Sequence, residues 1–142
     1  MSIEFITISC EVIVTIDRAW AYWTDPAHIV HWNHASEEWS CPKAESDLVE
    51  GGKYKFRMEA KDGSMGFDFS GTFIKIDAPN FLSYDLDDGR MVEVSFQDNG
   101  TNTSVVEKFQ PDPSHDIALQ KAGWQAILNN FKIYAEGKKD EL

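Results

Sequence analysis

Three histidines, each three residues after the last, form the pattern in this sequence that most resembles a metal site. His28, His31 and His34, with Cys41 close behind, offer the nitrogen and sulfur donors that transition metals bind. On a helix, however, His28 and His34 would lie about 120° apart, so that one ion could not easily reach all three. We therefore predict surface histidines around Trp32 and neither a metal site nor a cofactor.

Motifs for nucleophilic catalysis and nucleotide binding do not occur. The chain has no Gly-x-Ser-x-Gly elbow, and His115 has no evident Ser or Cys partner. Gly51-Gly52 precedes an alternating strand pattern instead of a helix, which argues against a phosphate loop. No acid or base falls clearly on the inner face of a predicted strand, because Arg57, Glu59 and Asp68 take the outer positions. The catalytic residues stay unknown, and the sequence leans towards a protein that is not an enzyme.

The composition argues against two classes of binding partner, nucleic acids and anionic membranes. The 142 residues include 13 Lys and Arg against 24 Asp and Glu, for a formal net charge of −11. Nucleic acids and anionic membrane surfaces attract clustered basic residues, so this acidic protein is expected to bind neither. The hydrophobic fraction of 42% argues against disorder, and without a linker we predict a single domain over residues 1–142.

The protein is predicted to be cytoplasmic. The first residues have no basic segment, no apolar run is long enough to span a membrane, and two cysteines cannot form a disulfide framework. Residues 139–142 spell an ER-retention signal, but we interpret it as a coincidence because no signal peptide accompanies it.

Hydrophobic periodicity predicts the elements that would position a site. Residues 5–16 alternate as a half-buried strand, after which Asp17 resembles the N-cap of a short helix. Asp25-Pro26 then predicts the start of a second short helix through Ile29 and Trp32. Residues 35–52 look irregular and acidic.

An antiparallel meander and a long helix follow. Five alternating strands are predicted between Gly52 and Phe109, joined by turns at Asp62-Gly63, Ala78-Pro79-Asn80, Asp88-Gly89 and Asn99-Gly100. From about Asp116 to Gly137 the period is helical, with one apolar stripe. A sheet with one apolar face and a helix with one apolar stripe bury both surfaces by packing together.

Several short motifs in this order resemble the START-like, or SRPBCC, superfamily, and within it the family of the heat-shock-protein-90 ATPase activator C-terminal domain. They are Trp23-x-Asp25-Pro26, Trp32, Gly51-Gly52-x-Tyr54-x-Phe56, Asp62-Gly63, Gly71-x-Phe73-x-x-Ile76-x-x-Pro79-x-x-Leu82 and Gly123-Trp124-x-x-Ile127-Leu128-x-Asn130-Phe131. The likeness extends from about residue 5 to 137. It implies an α+β helix-grip fold, in which a curved antiparallel β-sheet wraps around a long C-terminal α-helix, with two short helices after strand 1. Single-domain relatives are often bacterial or stress-related proteins, which implies a role in the stress response.

The resemblance also implies a cavity between the sheet and the helix that holds a hydrophobic ligand. Its expected walls on the sheet and the helix are Phe56, Met58, Phe67, Phe69, Tyr84, Val94, Phe96, Trp124, Leu128 and Phe131. Gln120 and Tyr84 would offer hydrogen bonds to that ligand. The alternative is that these side chains fill a solid core, in which case Gln120 reaches solvent at the helix end.

The sequence therefore predicts a protein that binds a small hydrophobic or amphipathic molecule, such as a lipid or an aromatic compound. One alternative is a cyclase or hydratase that uses the same cavity, and another is an interaction module that modulates a chaperone or another partner. Leu119, Ala122, Ala126 and Ile133 form a weak second stripe on the helix, which could mediate a homodimer.

Overall fold

The computed structural model describes residues 4–138, so the ER-retention-like residues 139–142 lie outside the described part. Seven strands form one antiparallel sheet in the order β1-β7-β6-β5-β4-β3-β2. The strands are β1 (Ile6–Val12), β2 (Trp39–Ser46), β3 (Lys53–Ala60), β4 (Gly66–Asp77), β5 (Phe81–Leu86), β6 (Met91–Asp98) and β7 (Thr103–Phe109). The helices are α1 (Ile16–Thr24), α2 (Pro26–Trp32) and α3 (Ile117–Lys138). This arrangement confirms the predicted α+β helix-grip fold.

The two short helices connect opposite edges of the curled sheet. β1 pairs with β7 at one edge, whereas β2 pairs with β3 at the other. The chain crosses between these edges through α1 and α2. They therefore pack beside α3 and form a further wall on the same face of the sheet.

Capping explains where the second helix begins. Pro26 is at its first position, where the missing N–H removes no helical hydrogen bond. The Asp25 carboxylate accepts a hydrogen bond from the Ala27 N–H at 2.9 Å. This start was predicted correctly, but the expected cap of α1 was wrong: Thr15 occupies the N-cap, and Asp17 lies within the first turn.

The prediction that residues 35–52 are irregular was also wrong, because β2 occupies Trp39–Ser46. β2 is an edge strand that includes Pro42, and its register with β3 shifts between Ser40 and Lys43. A proline is tolerated on an edge strand since only one side needs a paired N–H. Because of its polar residues, its proline and its bulge, β2 lacks the alternation of apolar and polar residues from which the other strands were predicted.

Helix α3 is anchored in the core by Leu128, Phe131 and Ala135, which are fully buried. The Phe131 ring packs edge-on against Trp23 at 4.9 Å and Trp32 at 5.1 Å between centroids, which ties α3 to both short helices. The outer stripe is exposed, with Leu119 and Ile133 at 73% and 70%, and a homodimer through it stays a prediction. Within residues 4–138, none of the helices is long and apolar enough to cross a membrane.

Candidate functional site

A cavity of about 220 Å³ lies between the concave face of the sheet and the three helices. Six of the side chains predicted from the sequence line it: Phe56, Met58, Phe67, Phe69, Tyr84 and Trp124. The sheet and α3 also contribute Tyr54, Phe73, Leu82, Glu107 and Ile127 to the lining. Ser46, at the end of strand β2, and Leu48, just after it, complete this side of the cavity. Phe67 is about half exposed, so the cavity reaches the protein surface beside it.

Five of the predicted site residues do not line this cavity. Val94, Phe96, Leu128 and Phe131 are buried in the core. Gln120 lies in the first turn of α3, where its side-chain amide accepts from the Asp112 N–H and donates to the Asp112 carbonyl, both at 2.7 Å. It holds the preceding loop against the helix, one turn before the lining residue Trp124, and does not itself line the cavity. Whether the six lining residues bind a ligand stays a prediction.

The first two helices supply a wall that sequence analysis missed. Trp23 and Thr24 of α1, Ile29 and Trp32 of α2, and the following Asn33 all line the cavity. Apolar residues three or four apart on short helices do indicate a buried face. They do not reveal what that face packs against, because its position depends on how the chain crosses between the sheet edges.

Glu107 is the most unusual residue in the lining. It lies on β7 between Val105 and Phe109 on the inner face, and pairs with Ile8 and Val94 on the flanking strands. The expectation that no acid faces inward was therefore wrong. The parity of Val105, Glu107 and Phe109 was the signal that could have revealed it. Glu107 is only 5% exposed.

Burial raises the pKa of Glu107 to about 8, because the apolar surroundings disfavour a carboxylate. Most Glu107 side chains are consequently neutral at pH 7. Burial also raises the pKa of Tyr84, with a smaller contribution from the nearby Glu107 charge. The mainly apolar lining thus includes two neutral, buried O–H groups on the sheet, those of Glu107 and Tyr84, together with the smaller polar side chains of Thr24, Asn33 and Ser46.

A second tyrosine at the cavity has its hydroxyl occupied. Tyr54 donates to the Asp85 carbonyl at 2.7 Å, across strand β4. Gly71 makes this contact possible, because a Cβ there would lie 2.7 Å from the Tyr54 hydroxyl and 1.8 Å from the Asp85 carbonyl. Tyr54 therefore fixes the sheet at this point and contributes only its ring to the cavity.

Of the three histidines suggested by the sequence, His28 and His31 lie apart from the cavity, between α2 and α3, and His34 follows the end of α2. His28 Nδ1 is 2.6 Å from the Tyr134 hydroxyl, and the His31 ring is stacked on the Tyr134 ring at 5.6 Å. Among residues 4–138, no group of three His, Cys, Asp or Glu side chains could hold a metal ion. His28 and His31 join the two helices.

Comparison with known proteins agrees with this geometry. Residues 14–136 match the family model described as Activator of Hsp90 ATPase homolog 1-like protein. The solution structure of the AHSA1-like protein from Aeromonas hydrophila is 46% identical, covers 93% of each chain and superimposes with a TM-score of 0.85. Chr148 from Cytophaga hutchinsonii is 44% identical over 94% of this chain and 92% of its own, with a TM-score of 0.81.

A more distant likeness shows the fold alone. Protein NE0264 from Nitrosomonas europaea shares 17% identity over 96% of both chains, with a TM-score of 0.82. A search of curated proteins found no match. Because the family model spans most of the sequence and two structures exceed 40% identity, the chain belongs to the family of Activator of Hsp90 ATPase homolog 1-like proteins.

Proposed function

We propose that this protein binds a small hydrophobic or amphipathic molecule in the cavity between the sheet and helix α3. The observation that carries the proposal is an unfilled space of about 220 Å³ whose walls are mainly aromatic and aliphatic. Apolar concave sites with few polar groups are typical of small-molecule binding. The helix-grip fold of this family commonly binds ligands or partners, which also supports the proposal.

The volume restricts the ligand. An apolar cavity of about 150 Å³ takes up benzene, whereas pockets for drug-sized molecules start at about 300 Å³. A cavity of about 220 Å³ therefore suits a molecule of one or two rings, or the end of a longer chain. A longer lipid would extend past the half-exposed Phe67 to the surface.

The test is thermal unfolding in the presence of substituted benzenes, naphthalenes and medium-chain alcohols. A ligand at 100 times its Kd adds about 2.7 kcal/mol to stability, which raises Tm by several degrees. Ile127→Trp should abolish this shift, because Ile127 lines the cavity and the larger ring fills it. Ile133→Trp, on the exposed face of the same helix, should leave it intact. No shift with any compound, or an equal shift in the Ile127→Trp variant, would contradict the proposal.

Glu107 favours a second candidate, catalysis on the bound molecule. A general acid or base works best with a pKa near the working pH, and burial places the pKa of Glu107 at about 8. A cyclase or hydratase could use such a group inside an apolar cavity. Incubating each compound that binds with the protein, and following it by mass spectrometry, tests this candidate. Glu107→Gln should stop turnover while binding persists; turnover that persists in this variant would exclude Glu107 as the acid or base.

A further inference from the structure

We propose that the cavity selects a neutral molecule with one hydrogen-bond acceptor, such as a carbonyl oxygen, held by the Glu107 carboxyl and the Tyr84 hydroxyl together. This inference rests on the proposed function and specifies its ligand class. Both side chains line the same cavity and come from strands on either side of β6. Across β6, Tyr84 is level with Phe109, two residues beyond Glu107, so the Tyr84 and Glu107 backbones are roughly 12 Å apart along a diagonal. On a concave face, their polar ends point towards a common region.

Both O–H groups are available to a ligand. Among residues 4–138, no hydrogen bond joins the Glu107 carboxyl or the Tyr84 hydroxyl to the protein, and no fully enclosed side-chain oxygen or nitrogen lacks a partner, so the oxygens of both residues open onto the space of the cavity. Glu107 is 5% exposed and Tyr84 is 9% exposed, so bulk water reaches them little. Polar groups that line an apolar cavity need a partner inside it, because an unpaired donor there is unfavourable. A ligand oxygen supplies the missing acceptor for both groups.

The charges in the lining favour a neutral polar ligand over an anionic or a cationic one. Among the described lining residues there is no Lys, Arg or His, so a carboxylate ligand would lose its hydration without gaining a cation. An ammonium ligand would require an ionised Glu107, and the pair would then lose the hydration of both charges in an apolar cavity. A neutral acceptor buries no charge and uses Glu107 in the form that burial already favours. The same pairing of a neutral carboxylic acid with a tyrosine holds a developing oxyanion in ketosteroid isomerase.

The test uses four naphthalenes of similar size measured by isothermal titration calorimetry at pH 6.5. They are 2-acetylnaphthalene, 2-ethylnaphthalene, 1-(2-naphthyl)ethylamine and 2-naphthoate. We expect 2-acetylnaphthalene to bind about tenfold tighter than 2-ethylnaphthalene, since two hydrogen bonds are gained, and to bind tighter than the amine and the carboxylate. Equal affinity for the acetyl and ethyl compounds, or preference for the amine or carboxylate, would overturn the inference and leave the proposed function standing. Absence of binding by all four would contradict both.

The pH dependence of the wild-type protein gives an independent readout. Tyr84 and Tyr54 are the other titratable groups in the described lining, and the Cys10 thiol on β1 lies near Glu107 outside it. Burial raises the pKa of each, that of Cys10 to about 12. Beside Glu107 on β6 lies Val94, and α3 contributes Trp124 and Ile127. Ionisation of Glu107 above pH 8 turns a donor into an acceptor, so affinity for 2-acetylnaphthalene should fall about tenfold from pH 7 to 9.5. A flat profile would overturn the role of Glu107.

Three variants distinguish hydrogen-bond donation to the ligand from a simple fit of the ligand's shape to the cavity. Glu107→Gln keeps an N–H donor and should retain the preference for the acetyl compound while losing its pH dependence. Tyr84→Phe keeps the ring and should reduce the acetyl preference several-fold. Glu93→Gln makes the same chemical change on the outer face of the neighbouring strand, and should behave as wild type. An unchanged acetyl preference in Tyr84→Phe, or persistent pH dependence in Glu107→Gln, would overturn the assignment of the respective donor.

Discussion

The Trp124 ring of helix α3 stacks face to face on the Phe109 ring of strand β7, with centroids 4.1 Å apart and planes 5° apart. Phe109 is fully buried and is the next inward-facing residue after Glu107 on the same strand. Trp124 lines the cavity. The stack therefore sets the distance between the helix and the strand that carries the buried carboxyl, and with it the height of the cavity.

A double-mutant cycle should measure this stack. We expect Phe109→Leu and Trp124→Leu to destabilise the protein individually, and the two changes together to be less than additive by about 0.5–1.5 kcal/mol. Urea unfolding of the four proteins measures the coupling. Phe109→Leu combined with Leu119→Ala, on the exposed face of α3, serves as the control and should be additive. Full additivity of Phe109→Leu and Trp124→Leu would show that the stack adds nothing beyond burial.

Much of the fold could be predicted from the sequence because its elements have strong periods. Five meander strands, β1 and α3 follow from alternation, turn residues and one helical stripe. Edge strand β2 could not be predicted this way, since half its pairing is missing and Pro42 and a bulge interrupt its pattern. A strand buried on one face signals itself through alternation, whereas an edge strand with polar residues on both faces does not.

The cavity was harder to predict than the fold. The alternation along each strand shows which side chains point inward. It does not show whether those side chains fill the interior or leave a cavity. Val94 and Phe96 point inward and are covered by core packing, whereas Phe69 and Tyr84 remain at the open space. That difference depends on where α1 and α2 cross the sheet, which is a long-range property. Glu107 could have been predicted, because its parity matches that of Val105 and Phe109.

Removing the cap of α2 should weaken the helical wall of the cavity. The Asp25 carboxylate accepts from the Ala27 N–H, and the helix it caps carries the lining residues Ile29 and Trp32. Asp25→Ala should destabilise the protein by about 1 kcal/mol, as measured by urea unfolding. Asp17→Ala removes a carboxylate from the first turn of α1, where it is not the cap, and should change stability by less than about 0.5 kcal/mol. A larger effect from Asp17 than from Asp25 would reverse this assignment of the caps.

Two glycines should respond in opposite directions to the same substitution. At Gly71 a Cβ would collide with the Asp85 carbonyl and the Tyr54 hydroxyl, so Gly71→Ala must separate strands β4 and β5 or break the hydrogen bond between those two residues. We expect a loss of about 2 kcal/mol or more, within the range of overpacked sites. At Gly123 in α3 a Cβ meets nothing within 4 Å, and Gly123→Ala should stabilise the helix by roughly 0.5–1 kcal/mol. Thermal unfolding of both variants checks the prediction, which fails if Gly71→Ala is tolerated.

The buried carboxyl should make stability depend on pH in the direction opposite to that of a salt-bridged acid. Burial raises the pKa of Glu107 to about 8, whereas in the unfolded chain a glutamate titrates near pH 4.3. Between these values the folded protein holds a proton that the unfolded chain has released. Its contribution to stability is therefore fully present below about pH 4.3 and is lost as pH rises towards 8, by at most about 1.4 kcal/mol per pH unit.

Glu107→Gln should remove this dependence, because the amide does not titrate. The difference in unfolding free energy between this variant and the wild type should grow in favour of the variant from pH 5 to 8 and level off above pH 8. Urea unfolding at each pH measures that difference, with Glu93→Gln as the matched change on the outer face. A difference that stays constant from pH 5 to 9 would mean that Glu107 ionises as readily in the folded protein as in the unfolded chain. Solvent would then reach the carboxyl, and the cavity could no longer hold it as a neutral hydrogen-bond donor.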